Sequence, residues 1–216
     1  EERLRAGLEA AEQGLDTGCG LQLLAPGFAS YPDDMDPFSP YNPGTGENGA
    51  IFCHAHTWSI IAEAKLGNAQ KAWKFYTDLL PYKLCERLGI ERYQSDPYGW
   101  VSNIVGVENS KHGWGNVIRF TGTVAWMNIA ATQYLLGVRT RLEGLKIDPC
   151  IPSEWKEYKV QRDYLGTRLS ITFQNPNGIS KGVSSIIADG KRIEGCIIPR
   201  ELFAGKESMD ITVTLG

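Results

Sequence analysis

The sequence predicts an α plus β protein, in which a helical region precedes a small antiparallel β unit, and three observations carry this prediction. Several segments before Pro152 repeat apolar residues at intervals of three and four, as amphipathic helices do. After Pro152 the interval becomes two, as in residues 169–173, which is typical of strands. Asn177-Gly178 and Asp189-Gly190 lie between strand-like segments, where primed turns join antiparallel strands. We therefore expect two domains, residues 1–152 and 153–216.

Four helices are predicted from the apolar spacing. They cover residues 1–15, 55–66, 69–80 and 122–136. Gly67 and Gly137 are typical C-terminal caps, and Pro81 ends the third helix, so the second and third helices are expected to form a hairpin. The side chains assigned to the apolar faces are Leu4, Leu8, Ala11, Leu15, Trp58, Ile61, Ala62, Lys65, Ala72, Phe75, Tyr76 and Leu79, and Trp73 and Trp126 are also assigned to the core.

Two long segments, residues 17–49 and 95–120, are rich in glycine, proline and small polar residues and are predicted to lack regular structure. Loops of this length in compact domains are usually functional. The aromatic side chains that offer flat faces for stacking on sugar rings are Tyr98, Trp100 and Trp114. The candidate acid–base carboxylates are Asp33, Asp34 and Asp36, and a merely solvated acidic loop is their alternative.

Composition excludes several classes of protein. The 216 residues include 22 basic and 25 acidic side chains that are well mixed, so we expect no nucleic-acid partner. No apolar run approaches the roughly 18 residues of a membrane span and no signal peptide is recognisable, which predicts a soluble, cytoplasmic protein. Five widely spaced cysteines are predicted to be free, buried thiols. The His54-x-His56 pair lacks a third ligand, so we expect one histidine in the core, the other in a cleft, and no metal.

The segment from Gly44 to His54 is the first candidate site. It places Glu47, Asn48 and His54 at the entrance to a helix, and backbone N–H groups there favour anions such as phosphate. The alternative is purely structural: Gly46 and Gly49 would shape a turn, Glu47 would pair with a surface arginine and His54 would be a core residue.

Residues 120–123 are the second candidate site. Phe120-Thr121-Gly122-Thr123 offers two hydroxyl groups and a glycine N–H at the start of another helix, which is again a possible seat for an oxyanion. The alternative is an ordinary helix cap with nothing bound. Two such helix starts, each after a long loop, make a stronger case than either alone.

Several motifs together resemble a known family. They are Glu47-Asn48-Gly49-x-x-Phe52-x-His54-x-x-x-Trp58, Asp96-Pro97-Tyr98, Thr121-Gly122-Thr123-x-x-Trp126, Leu135-Leu136-Gly137-Val138-Arg139, and Gly144-Leu145-Lys146-Ile147-Asp148-Pro149-Cys150-Ile151-Pro152-x-x-Trp155. In order and spacing they resemble the C-terminal part of the cellobiose and chitobiose phosphorylases, glycoside hydrolase family ninety-four. The resemblance covers roughly residues 41–199.

The resemblance implies the closing helices of an (α/α)6 barrel followed by a small β-sandwich. It also implies an inverting phosphorolysis in which inorganic phosphate, as co-substrate, converts a β-linked glucobioside of the cellobiose type to α-glucose 1-phosphate, with no metal or organic cofactor. Glu47 then matches the family's sugar-binding glutamate, and His54, Thr121 and Gly122 match the groups that hold phosphate. A homodimer is expected from the resemblance alone.

The sequence departs from the family pattern in several places. His56 stands where relatives often have glutamine, Ser102 stands where some relatives have a glutamine near phosphate, and Asp96 replaces the more usual glutamate before Pro97-Tyr98. The family's Trp-Asn-Asp motif, which supplies the general acid, is not found in these 216 residues. We therefore expect the chain to be the C-terminal portion of the enzyme, to hold part of an active site and to be inactive alone.

Two rival functions are left open by the sequence. An inverting hydrolase on the same helical barrel would release sugar without phosphate. A non-catalytic carbohydrate-binding module would bind sugar through its β unit and loop aromatics but would show no affinity for phosphate.

Overall fold

The computed structural model describes residues 2–29, 41–119 and 121–216. Asp33, Asp34 and Asp36 lie outside the described residues. By their contacts the residues fall into two compact units, the first formed by Glu1–Ile60 with Lys74–Asn128 and the second by Ile61–Trp73 with Ile129–Gly216. These units differ from the two predicted domains, and the boundary at residue 152 stays a prediction.

All four predicted helices are present. They are α1 (Glu2–Leu15), α2 (Cys53–Leu66), α3 (Ala69–Asp78) and α6 (Thr123–Ile129), which continues as a π-helical segment, Ala130–Leu135. Two further helices, α4 (Pro81–Leu88) and α5 (Ile90–Tyr93), were not predicted. Pro81 starts α4 rather than only ending α3, since a proline at the first helical position gives up an N–H that would be unpaired there. The (α/α)6 barrel stays a prediction.

The predicted apolar face of α2 is wrong in part, since Ile61 is buried as predicted but Trp58 and Lys65 are not. Trp58 is 54% exposed and Lys65 is exposed, whereas His56, Thr57 and Glu63 are buried. The error has a physical cause, because α2 buries polar residues that hydrogen bonds satisfy, so apolar spacing does not mark its inward side. On α1, Leu4 is likewise exposed. In the predicted third helix, by contrast, Ala72, Phe75 and Leu79 are buried as predicted.

Residues 17–29 and 41–49 contain only turns and isolated bridges, as predicted. The prediction of irregular structure for residues 95–120 is wrong in part. Strands β2 (Val101–Ile104) and β3 (Gly115–Ile118) lie there and form an antiparallel three-stranded sheet with β1 (Ile51–Phe52), in the order β1-β2-β3. Strands this short and polar give too few alternations to be recognised.

The second unit contains two sheets that share one hydrophobic core. Strands β4 (Val138–Thr140), β5 (Gly144–Ile147) and β10 (Ile197–Pro199) form the smaller sheet, in the order β10-β5-β4. Strands β6 (Glu157–Tyr164), β7 (Thr167–Gln174), β8 (Ser185–Ala188), β9 (Lys191–Ile193) and β11 (Ser208–Thr214) form the larger, in the order β6-β7-β11-β8-β9. Leu145 and Ile198 pack in the same cluster as Ile171 and Phe173, so the two sheets make a small sandwich.

The expectation of an entirely antiparallel unit is wrong, because β11 pairs with β7 in parallel. Asn177-Gly178 does not join adjacent strands, since β11 lies between β7 and β8. Asp189-Gly190, both with positive φ, joins β8 to β9 as predicted. Leu165-Gly166 makes the same kind of two-residue turn between β6 and β7.

Candidate functional site

His54 is placed by the junction of β1 and α2 in the first unit. Strand β1 pairs with β2 through Ile51 and Phe52, and α2 begins at the next residue. Ile51 is completely buried, so the chain enters the helix from an anchored strand. Because α2 begins two residues before the predicted start at Ala55, His54 lies in its first turn rather than at its entrance.

Two tryptophans pack against the His54 ring. Trp58, one turn further along α2, meets the imidazole edge to face at 5.5 Å between ring centroids, and Trp126 on α6 lies at 5.8 Å with an interplanar angle of 31°. The two indoles are 6.2 Å apart, so the three rings form one cluster. Nε2 of His54 is buried and makes no hydrogen bond among the described residues. Aromatic packing therefore orients this imidazole.

Gly122 lies directly against the other edge of the His54 ring. A Cβ atom added at Gly122 would lie 3.2 Å from both Nδ1 and Cε1 of His54. This is closer than ordinary van der Waals contact, so a larger residue here would displace the imidazole. The structure thus brings two of the predicted phosphate-binding residues, His54 and Gly122, into contact.

The hydroxyl group of Thr121 takes part in the start of α6. It accepts a hydrogen bond from the N–H of Thr123 at 3.1 Å and lies 2.8 Å from the Thr123 hydroxyl. Thr121 is half-buried, Gly122 is exposed and Thr123 is completely buried. Thr121 thus makes the kind of contact expected of an ordinary helix cap. It also directly precedes Gly122, which contacts His54.

Glu47 is an exposed residue in the turn closed by the bridge between Thr45 and Asn48. Asn48 is buried and structural, because its side chain accepts from Phe28 N–H at 2.7 Å and donates to the carbonyls of Phe28 and Tyr41 at 3.0 and 2.8 Å. Asn48 thereby holds the backbone on both sides of residues 30–40. Glu47 stays a predicted sugar ligand.

Asp96 and Arg119 form an ion pair in the same unit. The hydrogen bond from Tyr98 N–H to Asp96, at 2.7 Å, and the Arg119 guanidinium lower the pKa of this carboxyl group. Tyr98 is 90% exposed, whereas Trp100 and Trp114 are half-buried and Lys111 lies over the Trp114 ring at 4.8 Å. Tyr98 is thus the most accessible of the three predicted stacking rings.

His56 belongs to the core, as expected for one of the pair, whereas His54 is half-buried and its place in a cleft stays a prediction. Nδ1 of His56 accepts from Leu21 N–H at 2.9 Å, so Nε2 carries the proton that it shares with the Phe75 carbonyl, also at 2.9 Å. Burial lowers the pKa of His56 to about 4. This histidine is neutral and structural at physiological pH.

The five cysteines are free, but only three of them are buried, since Cys85 and Cys196 are partly exposed. Burial raises the pKa of Cys53 to about 12, which suits an inert core thiol. Within residues 2–29, 41–119 and 121–216, no group of three metal-ligating side chains comes together. In the same residues, no helix is long and apolar enough to cross a membrane.

Comparison with known families identifies the family of the chain. Residues 1–137 match the family described as "Glycosyl hydrolase 94 superfamily, catalytic domain". The chain belongs to this family. The match includes Glu47, His54, Thr121 and Gly122.

Three curated relatives are disaccharide phosphorylases. All 216 residues align at 39% identity with 26% of the N,N'-diacetylchitobiose phosphorylase of Vibrio furnissii. The 3-O-beta-D-glucopyranosyl-beta-D-glucuronide phosphorylase of Paenibacillus borealis is 34% identical over 95% of this chain and 26% of its own length. The solabiose phosphorylase of the same organism is 32% identical over 90% of this chain and 25% of its own length. The chain therefore spans about a quarter of the length of these relatives.

Sequence reasoning missed the surroundings of His54. It treated Trp58 and Trp126 as core residues, and it noted the hydroxyl of Thr123 without giving it a role. A signal was present, because residues four apart on a helix are neighbours, which places Trp58 next to His54. No comparable signal links Trp126 to His54, since the two residues lie on helices that are far apart in the sequence.

Proposed function

We propose that this chain is the C-terminal portion of an inverting phosphorylase that cleaves a β-linked disaccharide with inorganic phosphate. The contact between His54 and Gly122, which follows Thr121 in the chain, is the observation that carries the proposal. An imidazole, a hydroxyl and a backbone N–H are hydrogen-bond donors suited to a phosphate ion. Three relatives whose names are those of disaccharide phosphorylases support the same reaction class.

The chemistry requires few groups from this chain. An inverting hydrolase needs one acid to protonate the leaving oxygen and one base to activate water. Phosphate is already an anionic nucleophile, so a phosphorylase needs the acid and a site that holds phosphate in line with the anomeric carbon. In our proposal His54, Thr121 and Gly122 orient phosphate, Glu47 binds the donor sugar, and a residue outside this chain supplies the proton.

The substrate proposed is a β-linked glucobioside of the cellobiose type, and the product is α-glucose 1-phosphate. The relatives are named for different disaccharides, so the family as a whole supports the reaction class more strongly than any one acceptor sugar. We further propose that the enzyme uses no metal or organic cofactor, acts in the cytoplasm and forms a homodimer.

The test is a His54→Ala variant in a protein of full family length that carries this chain. We expect the KM for phosphate to rise at least about tenfold, because a hydrogen bond to an ionised group is lost. His112→Ala is the matched control, since His112 contacts the Val105 carbonyl and lies outside the proposed site. The control is expected to leave the KM for phosphate unchanged.

The same experiment separates the rival functions. Release of sugar by the unmodified protein at equal rates with and without phosphate would favour a hydrolase. Sugar binding without turnover or phosphate affinity would favour a carbohydrate-binding module. Unchanged phosphate kinetics in His54→Ala would contradict the role assigned to His54.

A further inference from the structure

Thr123 and Thr121 form a hydroxyl pair, and the proposed function gives a role to Thr121 but none to Thr123. Their oxygen atoms are 2.8 Å apart, and the N–H of Thr123 also donates to Thr121 Oγ1 at 3.1 Å. Thr123 is completely buried, whereas Thr121 is half-buried. Among the described residues, Thr123 is thus joined to the candidate site by its hydrogen bonds with Thr121.

The direction of the hydrogen bond follows from what each hydroxyl group can reach. A threonine hydroxyl has one proton to donate and two lone pairs that accept. Among the described residues, Thr121 Oγ1 is the hydrogen-bond partner of the Thr123 hydroxyl. A buried O–H that donates to nothing is costly, so the Thr123 hydroxyl donates to Thr121.

Thr121 is then left with a single capability. Its two lone pairs accept from the N–H and from the O–H of Thr123, which saturates them. Its own proton remains, so Thr121 faces any ligand as a donor. The opposite arrangement would present a lone pair, which an anion would repel.

We propose that Thr123 is a positioning residue that fixes the Thr121 hydroxyl as a hydrogen-bond donor to phosphate, an inference that rests on the proposed function. Thr123 touches no substrate in this scheme. It makes the Thr121 hydroxyl a hydrogen-bond donor, and Thr121 directly precedes Gly122, which contacts His54.

The test compares Thr123→Val with Thr123→Ser in a protein of full family length. Valine keeps the volume and removes the hydroxyl, whereas serine keeps the hydroxyl. We expect Thr123→Val to raise the KM for phosphate roughly tenfold, with the KM for the disaccharide at saturating phosphate within about twofold of the unmodified value. Thr123→Ser is expected to restore phosphate affinity to within about threefold.

A double variant separates positioning from a structural role. If Thr123 acts through Thr121, Thr121→Val combined with Thr123→Val should bind phosphate no more weakly than Thr121→Val alone. Additive losses would overturn the proposal, and so would a Thr123→Ser variant as impaired as Thr123→Val. Circular dichroism and the melting temperature show whether each variant folds. If Thr123→Val does not fold, Thr123→Ala is used in its place.

The unmodified protein distinguishes this inference from the proposed function. If it shows no phosphate-dependent cleavage, the proposed function and this inference both fail. If it phosphorolyses a disaccharide and Thr123→Val leaves the KM for phosphate unchanged, only this inference fails.

Discussion

His54 and His56 occupy opposite environments although one residue separates them. Successive helical residues point about 100° apart, so positions two apart lie on nearly opposite sides of α2. His54 packs between indoles beside Gly122, while both ring nitrogens of His56 bond to buried backbone groups. The Nε2 atom of His54 thus has no hydrogen-bond partner among the described residues, whereas His56 links Leu21 to Phe75 of α3.

The burial of His56 makes stability depend on pH. In the unfolded chain a histidine has a pKa of about 6.5, whereas in the folded chain burial lowers the pKa of His56 to about 4. Between these pH values the unfolded state binds a proton that the folded state does not. The free energy of unfolding should therefore decrease as pH falls from about 6.5 to about 4, by up to about 3 kcal/mol.

Urea unfolding between pH 4 and 7.5 measures this dependence, and His56→Gln is the comparison variant. A glutamine side chain can also accept from Leu21 N–H and donate to the Phe75 carbonyl, but it does not titrate. The variant should lose most of the decrease in this pH range. An equal decrease in both proteins would contradict the assignment to His56.

At the scale of single residues, sequence reasoning found the candidate groups but not their supports. His54, Thr121 and Gly122 were identified because their residue types and motif spacing are visible in the chain. The contacts with Trp126 and the direction of the Thr123 hydrogen bond were not, because they depend on which distant side chains meet. Burial of His56 and Glu63 was hidden for the same reason, since their hydrogen-bond partners cannot be read from composition.

At the scale of elements, the predictions succeeded where a long segment repeats one pattern. The four predicted helices and the β8–β9 turn have strong local signals. Strands β2 and β3 and helix α5 did not, because each has only four residues. Val117 in β3 also has positive φ, which is rare for a β-branched residue and interrupts the regular alternation of a strand.

The connection from the π-helical segment to β4 depends on Gly137. Its φ is +73°, and an added Cβ atom would lie 2.1 Å from the Pro149 nitrogen. Gly137→Ala should therefore lower the free energy of unfolding by at least about 3 kcal/mol. The alanine would be strained at this positive φ, and the backbone at Pro149 would also have to shift to make room for its Cβ atom.

Gly190→Ala is the matched control for this prediction. Gly190 has a similar φ of +76° but no atom within 4 Å of an added Cβ, so only backbone strain remains. Its expected cost is about 1 kcal/mol. Chemical denaturation of both variants tests the difference, and equal losses would show that the contact with Pro149 is unimportant.

At the scale of the whole molecule, the motifs were enough to predict the family. The mixture of parallel and antiparallel pairing in the larger sheet could not be predicted. The order of motifs from Glu47 to Trp155 identified the family. The parallel pairing of β11 with β7 depends on a return of the chain from residue 208 to residue 168, which local turn signals do not encode.

The 216-residue chain alone should show no turnover, because the proposed general acid lies outside it. Phosphorus NMR after incubation with phosphate and β-linked glucobiosides should detect α-glucose 1-phosphate only with a protein of full family length. Formation of this product by the short chain would contradict the proposal and would direct attention to its own carboxylates, including Asp33, Asp34, Asp36 and Asp96.

The central place of β11 also bears on synthesis of the protein. During translation, residues 157–174 and 185–193 leave the ribosome well before residues 208–214, yet β7 and β8 join only through β11. Until β11 emerges, the nascent chain holds two separate hairpins whose facing edges are unpaired. Isolated hairpins are marginally stable and open edges invite aggregation, so the interval before residue 208 is the period in which chaperones would protect this chain most.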